Sequence, residues 1–224
     1  MSNFNAELTN RDYEVKIDQY FSRGWEIFKE YPWGFILFTL LYLVIVGLLS
    51  VLLPSPLGAR PGDGESFGGA NIVANILSPI LGVGYYCVAL QIARRRPKSF
   101  SDFFGGFNKF VPVFLTALVS GLLIGLGSVL LVLPGIYLAV SYLFAQLFVV
   151  DKNLGFWSAM ETSRRLITKK WFSFFGLGLL MFLLILAGLL CFGVGVLVTI
   201  PLGSCVLTAA YEDIVGLNSV AGQG

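Results

Sequence analysis

Apolar residues fall in long uninterrupted runs along this chain, and charged residues collect in the short segments between them. Residues 110–150 contain no Asp, Glu, Lys or Arg, and neither do residues 171–211. A helix needs about 20 apolar residues to cross the hydrocarbon core of a bilayer, so each run is long enough for two crossings back to back. The first is interrupted by Leu133-Pro134-Gly135 and the second by Gly193-Val194-Gly195, which read as the turns of transmembrane hairpins. A third pair flanks residues 54–71, where Pro and Gly are dense and no periodicity survives, the signature of a flexible loop. The predicted spans are 33–53, 72–93, 112–132, 136–150, 171–192 and 196–213, the fourth being short. This is an all-α polytopic pattern, with one membrane domain over residues 33–216 between tails at 1–32 and 217–224.

A different pattern precedes each hairpin. Tyr13, Ile17, Tyr20, Phe21, Gly24, Trp25 and Phe28 share one face at helical spacing, with Asp18, Arg23, Glu26 and Lys29 opposite. Phe100, Phe103, Phe104, Phe107 and Phe110 recur at the same interval; Phe156, Met160, Ser163 and Ile167 oppose Glu161, Arg165 and Lys169. Each segment predicts an amphipathic helix suited to the membrane interface, and the first has the equal alternative of packing on the protein itself. The chain thus repeats one unit three times: amphipathic helix, span, break, returning span. Pro79, Pro134 and Pro201 do not share a register, so the repeat is one of pattern and not of residues.

Composition agrees with this architecture: 56% of residues are hydrophobic and 12% charged, far from the roughly 25% charged content of soluble domains. Of the 15 Lys and Arg, only Arg60 lies outside the segments on one side of the predicted membrane. Basic residues in short loops mark the cytoplasmic side, so both termini are expected there. The first 32 residues are polar and partly acidic, with no basic start leading into an apolar run. No cleavable signal is expected, and the first span serves as an anchor. A formal charge of +2 gives no reason to expect nucleic acid. Cys87, Cys191 and Cys205 all fall within predicted spans, as buried structural thiols would. The chain has no histidine, which removes the commonest general base and metal ligand. No catalytic residue, metal or cofactor is expected.

From Pro134 the sequence resembles a known family. Pro134-Gly135-Ile136-Tyr137-Leu138-Ala139-Val140, then Asp151, Gly155, Ser158-Ala159, Ser163-Arg164-Arg165 and Trp171-Phe172 are similar to a bacterial six-helix inner-membrane family. Its members include YciC-like proteins and the membrane region attached to some glycerophosphodiester phosphodiesterases. The resemblance covers residues 134–178 most closely and implies a six-helix fold in a bacterial inner membrane. It implies no reaction, because no phosphodiesterase domain is present. Many relatives carry an Arg after the Pro-Gly-Ile-Tyr run, where this chain has Ser141.

Three sets of residues are candidates for function. Arg94, Arg95, Arg96 and Lys98, with Arg164, Arg165, Lys169 and Lys170, lie beside spans where cations attract anionic headgroups. Together with the amphipathic helices they predict a collar that binds lipid, or a protein partner, in membrane organisation or assembly. Pro79, Gly82, Pro134, Gly135, Gly193, Gly195, Pro201 and Gly203 mark helix breaks, where unwound carbonyls can coordinate a transported solute. That transporter alternative lacks an ionisable side chain within any span, which proton-coupled mechanisms generally need. Ala117, Gly121 and Gly125 recur every four residues and predict close helix packing, within the chain or between copies in a homo-oligomer. An intramembrane enzyme ranks last, since Ser, Thr and Cys in the spans have no base to activate them.

Overall fold

A computed structural model describes residues 13–52, 72–190 and 194–217, with helix and turn but no strand among the described residues. Helix α1 (Ile17–Glu30) leads into α2 (Pro32–Leu52), and α3 (Ile72–Ala93) into a 3-10 segment (Phe100–Lys109) that continues without a loop as α4 (Phe110–Leu130). The fourth crossing is made by α5 (Val132–Ser141) and α6 (Ala145–Lys152). Then follow α7 (Phe156–Thr168), α8 (Trp171–Leu190) and α9 (Val196–Val215). Among the described residues, six helical stretches are long and apolar enough to cross a membrane. The chain is an all-α, multi-pass membrane protein, with an amphipathic element ahead of each of three hairpins. The loop at 54–71 with Arg60, together with Cys191, Gly193 and the ends of the two tails, lies outside the described residues.

The fourth crossing departs from its expected bounds. The turn after α4 falls at Leu131, which is extended (φ −159°, ψ 132°), and not at Pro134-Gly135. Pro134 instead sits in the first turn of α5, where its missing N–H would have had no helical partner anyway. The crossing therefore runs over Val132–Lys152, 21 residues, and is not short. It is broken between Ser141 and Ala145, a feature absent from the predicted pattern. Ser163 of α7 satisfies the break: its Oγ accepts from Phe144 N (3.2 Å) and donates to Ser141 O (2.7 Å). A side chain that replaces lost helical bonds makes such an interruption tolerable.

Packing is concentrated at one end of the bundle. The end that carries the basic residues buries α1, the C-terminal half of α3, α6, α7 and the C-terminal half of α9. Helix α9 is central there, against α1, α2, α3 and α8. At the opposite end the side chains splay: Val129 is 86% exposed and Leu190 79%. Helices facing lipid gain nothing from hiding aliphatic side chains from one another, whereas the basic end meets water and has a hydrophobic reason to close.

Glycines set how closely that end closes. A Cβ on Gly24 of α1 would stand 2.7–2.8 Å from Val206 of α9, so α1 rests on the α9 backbone. The first amphipathic helix thus packs on the protein. Gly84 of α3 meets Phe103 O, and Gly106 of the 3-10 segment meets Ile80 O, so these two elements interlock backbone to backbone. The segment is 3-10 and not the α-helix that its Phe spacing predicts. At three residues per turn, Phe103 and Gly106 stand in line against α3, and Phe100, one turn earlier, meets Phe38 of α2. Phe103 is 0% exposed and stacks on Phe38 at 4.4 Å between centroids, with Phe35, Phe100 and Tyr85 around it.

This packing separates glycines that fill contacts from those that do not. Gly84→Ala should lower stability by roughly 1–3 kcal/mol through overpacking, whereas Gly121→Ala, which meets nothing within 4 Å, should be neutral or slightly stabilising. Thermal unfolding of both variants in the same detergent tests the contrast.

Candidate functional site

The arginine run that follows α3 is split by the way the helix ends. Arg95 adopts a left-handed conformation (φ 54°), with Arg95 N donating to Ile92 O and Arg96 N to Gln91 O, both at 2.9 Å. That pair of bonds closes a helix terminus and reverses the chain. Three adjacent arginines consequently point to three places. Arg94 turns inward, and Arg95 and Arg96 are exposed with no side-chain partner among the described residues.

Arg94 meets Asp151, whose side chain is 0% exposed at the end of α6. One Asp151 oxygen takes the Arg94 guanidinium; the other accepts from Tyr211 Oη (2.9 Å) and lies 3.1 Å from Lys152 Nζ. Lys152 Nζ also donates to Gly216 O (3.3 Å), and Lys109 Nζ to Val150 O (2.5 Å). Cations thus gather at the C-terminus of α6, where the helix presents unpaired carbonyls and partial negative charge. Burial, and then the nearby Arg96, push the Arg94 guanidinium below its ordinary pKa, so the adjacent carboxylate is what keeps a charge tenable there. Arg94 Nε is buried without a partner in the structure.

Beside this cluster lies a cavity of about 700 Å³ between the end of α3, the 3-10 segment and α6. Arg94, Arg96 and Lys109 line it, with Ser101 and Asn108, against a wall that includes Phe104 and Phe107. Its one lining carboxylate, Asp102, accepts from Ser99 N (2.6 Å). The Gln91 amide, turned so that both its groups are satisfied, also donates to it.

The other basic cluster is tied up differently. Arg164 and Arg165 both bind Glu161 of α7, at 2.8–2.9 Å and 2.6 Å. The Arg164 hydrogen bonds hold the Glu161 carboxyl down to about 2, and Glu161 in turn raises the Arg164 guanidinium. Lys98 pairs with Glu30 of α1. Lys169 is exposed and Lys170 half-buried. Exposed aromatic side chains ring the same end: Trp25, Trp33, Phe107, Phe110, Trp157 and Phe172.

The helix-break residues do not converge. Pro79 lines an apolar groove of about 860 Å³ between α3 and α4. Gly82 faces open space, Pro134 and Gly135 begin α5 against Ser128, and Gly195 abuts Gly188 at the α8–α9 turn. Pro201 and Gly203 are buried in α9. Nor do Ala117, Gly121 and Gly125 bring a helix close: they line the groove, and no described atom lies within 4 Å of a Cβ on either glycine. Among the described residues no three Cys, Asp or Glu side chains converge to hold a metal ion. No family model matches the chain, and neither a characterised protein nor a solved structure is similar to it.

Asp151 and Lys109 are the residues that sequence reasoning passed over as site members. Asp151 enters there only in the run that carries the family resemblance, and Lys109 only as one of the basic residues on one side of the membrane. The available signal was that Asp151 is the first acidic residue after the uncharged run and stands at the same membrane level as the arginines.

These charges lead to two expected outcomes. Asp151→Asn should cost about 3–5 kcal/mol by stranding Arg94, and adding Arg94→Met should recover part of that loss; a double-mutant cycle on thermal unfolding measures it. Glu161 is ionised well below its ordinary 4.5, so its contribution is fully present above 4.5 and is lost as the pH falls towards about 2. Because its partners face water, that contribution is under ~1 kcal/mol. Glu161→Gln should lower stability by that small amount at neutral pH, leave it unaltered near pH 2, and so flatten the acid limb between the two.

Proposed function

We propose that the protein organises the cytoplasmic leaflet of a bacterial inner membrane by gathering anionic lipid around its basic end, and that it catalyses no reaction. The observation that carries this reading is the ring of exposed Trp and Phe side chains at the end where the Lys and Arg residues lie. Trp is favoured at headgroup depth because its ring is apolar and its N–H is polar. Cations beside such a belt attract anionic headgroups. The charge asymmetry of the sequence argues for a cytoplasmic position of that end and of both termini. The resemblance to YciC-like proteins argues for the bacterial inner membrane. Transport has less behind it, since the helix breaks lie apart.

The reading is tested by extracting the protein into polymer nanodiscs directly from the membrane and comparing retained lipid with bulk lipid. Anionic species should be enriched, and replacing Arg164, Arg165, Lys169 and Lys170 by Gln should reduce the enrichment several-fold, at roughly 1 kcal/mol per surface cation. Retained lipid of bulk composition would overturn it.

A further inference from the structure

We infer that the cavity between the end of α3, the 3-10 segment and α6 is a binding site for a phosphomonoester group carried on a molecule with an apolar part. This deepens the lipid reading by naming a discrete site within the basic end, and it rests on residues that a diffuse collar does not need.

Charge is the first ground. Arg94, Arg96 and Lys109 line the cavity, and Asp102 is the single carboxylate among the described lining residues. Asp151 is wholly occupied by Arg94, Lys152 and Tyr211, and Asp102 is committed to Ser99. The surplus is about the charge of one phosphomonoester, which carries about −1.5 to −2 at neutral pH. Such a ligand would convert repulsion among the cations into attraction.

Open donors are the second. Lys109 has three hydrogens and spends one on Val150 O. Arg96 has no side-chain partner among the described residues. Arg94 gives one arm to Asp151 while its Nε stays buried and unpaired. Ser101 and Asn108 stand on the same wall. Phosphate oxygens accept several charged hydrogen bonds at once, as this set requires.

Shape is the third. At about 700 Å³ the cavity is far larger than an inorganic phosphate and within the range of sites for whole small molecules. Leu90, Phe104, Phe107 and Val150 supply apolar lining alongside the cations. The fitting ligand has a phosphate at one end and carbon beyond it, which describes both a phosphatidic-acid headgroup and a soluble sugar or glycerol phosphate.

The test uses the full chain in zwitterionic nanodiscs, with dioctanoyl phosphatidic acid, dioctanoyl phosphatidylcholine and glycerol 3-phosphate as probes, and binding read by native mass spectrometry and thermal shift. A phosphomonoester should bind, and Lys109→Gln and Arg96→Gln should each weaken it about tenfold, as expected for losing a charged hydrogen bond. Arg164→Gln, outside the cavity, should weaken it far less. Binding of the diacyl probe alone assigns a membrane lipid; comparable binding of glycerol 3-phosphate assigns a soluble phosphate. Phosphatidic acid held no better than phosphatidylcholine, with no binding of glycerol 3-phosphate, overturns the site. So does an equal loss in the Lys109, Arg96 and Arg164 variants, although anionic lipid enrichment would then still stand. Glycerol phosphate bound in the cavity without anionic lipid enrichment would keep the site and sink the lipid-organising reading.

Discussion

A carboxylate closed off from water at the end of a transmembrane helix must be answered by cations, and Asp151 is answered from several directions. Arg94 reaches it from α3, Tyr211 from α9 and Lys152 from its own helix. Helices contributed by the first, second and third hairpins are thereby fixed at one level. Removing the carboxylate would strand a guanidinium that burial already disfavours. The glycine contacts at Gly24, Gly84 and Gly106 and the aromatic cluster around Phe103 belong to the same end of the molecule. Charge pairing and close packing reinforce each other there.

The two ends of the bundle obey different solvents. Where the chain meets water and headgroups, aromatic rings and amphipathic elements close over a dense core. Towards the far end of the spans Val129, Leu133 and Leu190 stand apart, as side chains can where lipid tails solvate them as well as another helix would. The groove between α3 and α4 belongs to that second regime. Its small residues are not matched by a helix of this chain among the described residues.

Much of the fold was legible because crossing a bilayer imposes a length, and a folded chain seldom carries uncharged runs of that length for any purpose but crossing. The segment ahead of the second hairpin was harder to read. Phe100, Phe103 and Phe107 fit a period of 3.6 better than one of 3.0, so the aromatic spacing alone points to the wrong coil, and the backbone contact of Phe103 with Gly84 accompanies the tighter one. Pro134 misled for a related reason, since a proline suits the first turn of a helix as well as a break. The break at Ser141 depends on Ser163, a partner 22 residues away that no local pattern reveals. The arginines were visible as a cluster, yet their division was not. Arg94 and Asp151 are 57 residues apart and Tyr211 is 60 beyond Asp151, so only the folded chain shows which cation is spent inside.

The direct continuation of the 3-10 segment into α4 has a mechanical meaning. With no loop between them, the segment acts as the short arm of a lever and the 21-residue α4 as the long one. At 1.5 Å per residue α4 is about 30 Å long, so a turn of about 5° at the junction moves its far end by about 3 Å. The contacts of Gly84 on α3 and Gly106 on the segment form the fulcrum. A small displacement of the segment at the basic end is delivered, enlarged, to the loosely packed end, where α4 forms one wall of the groove.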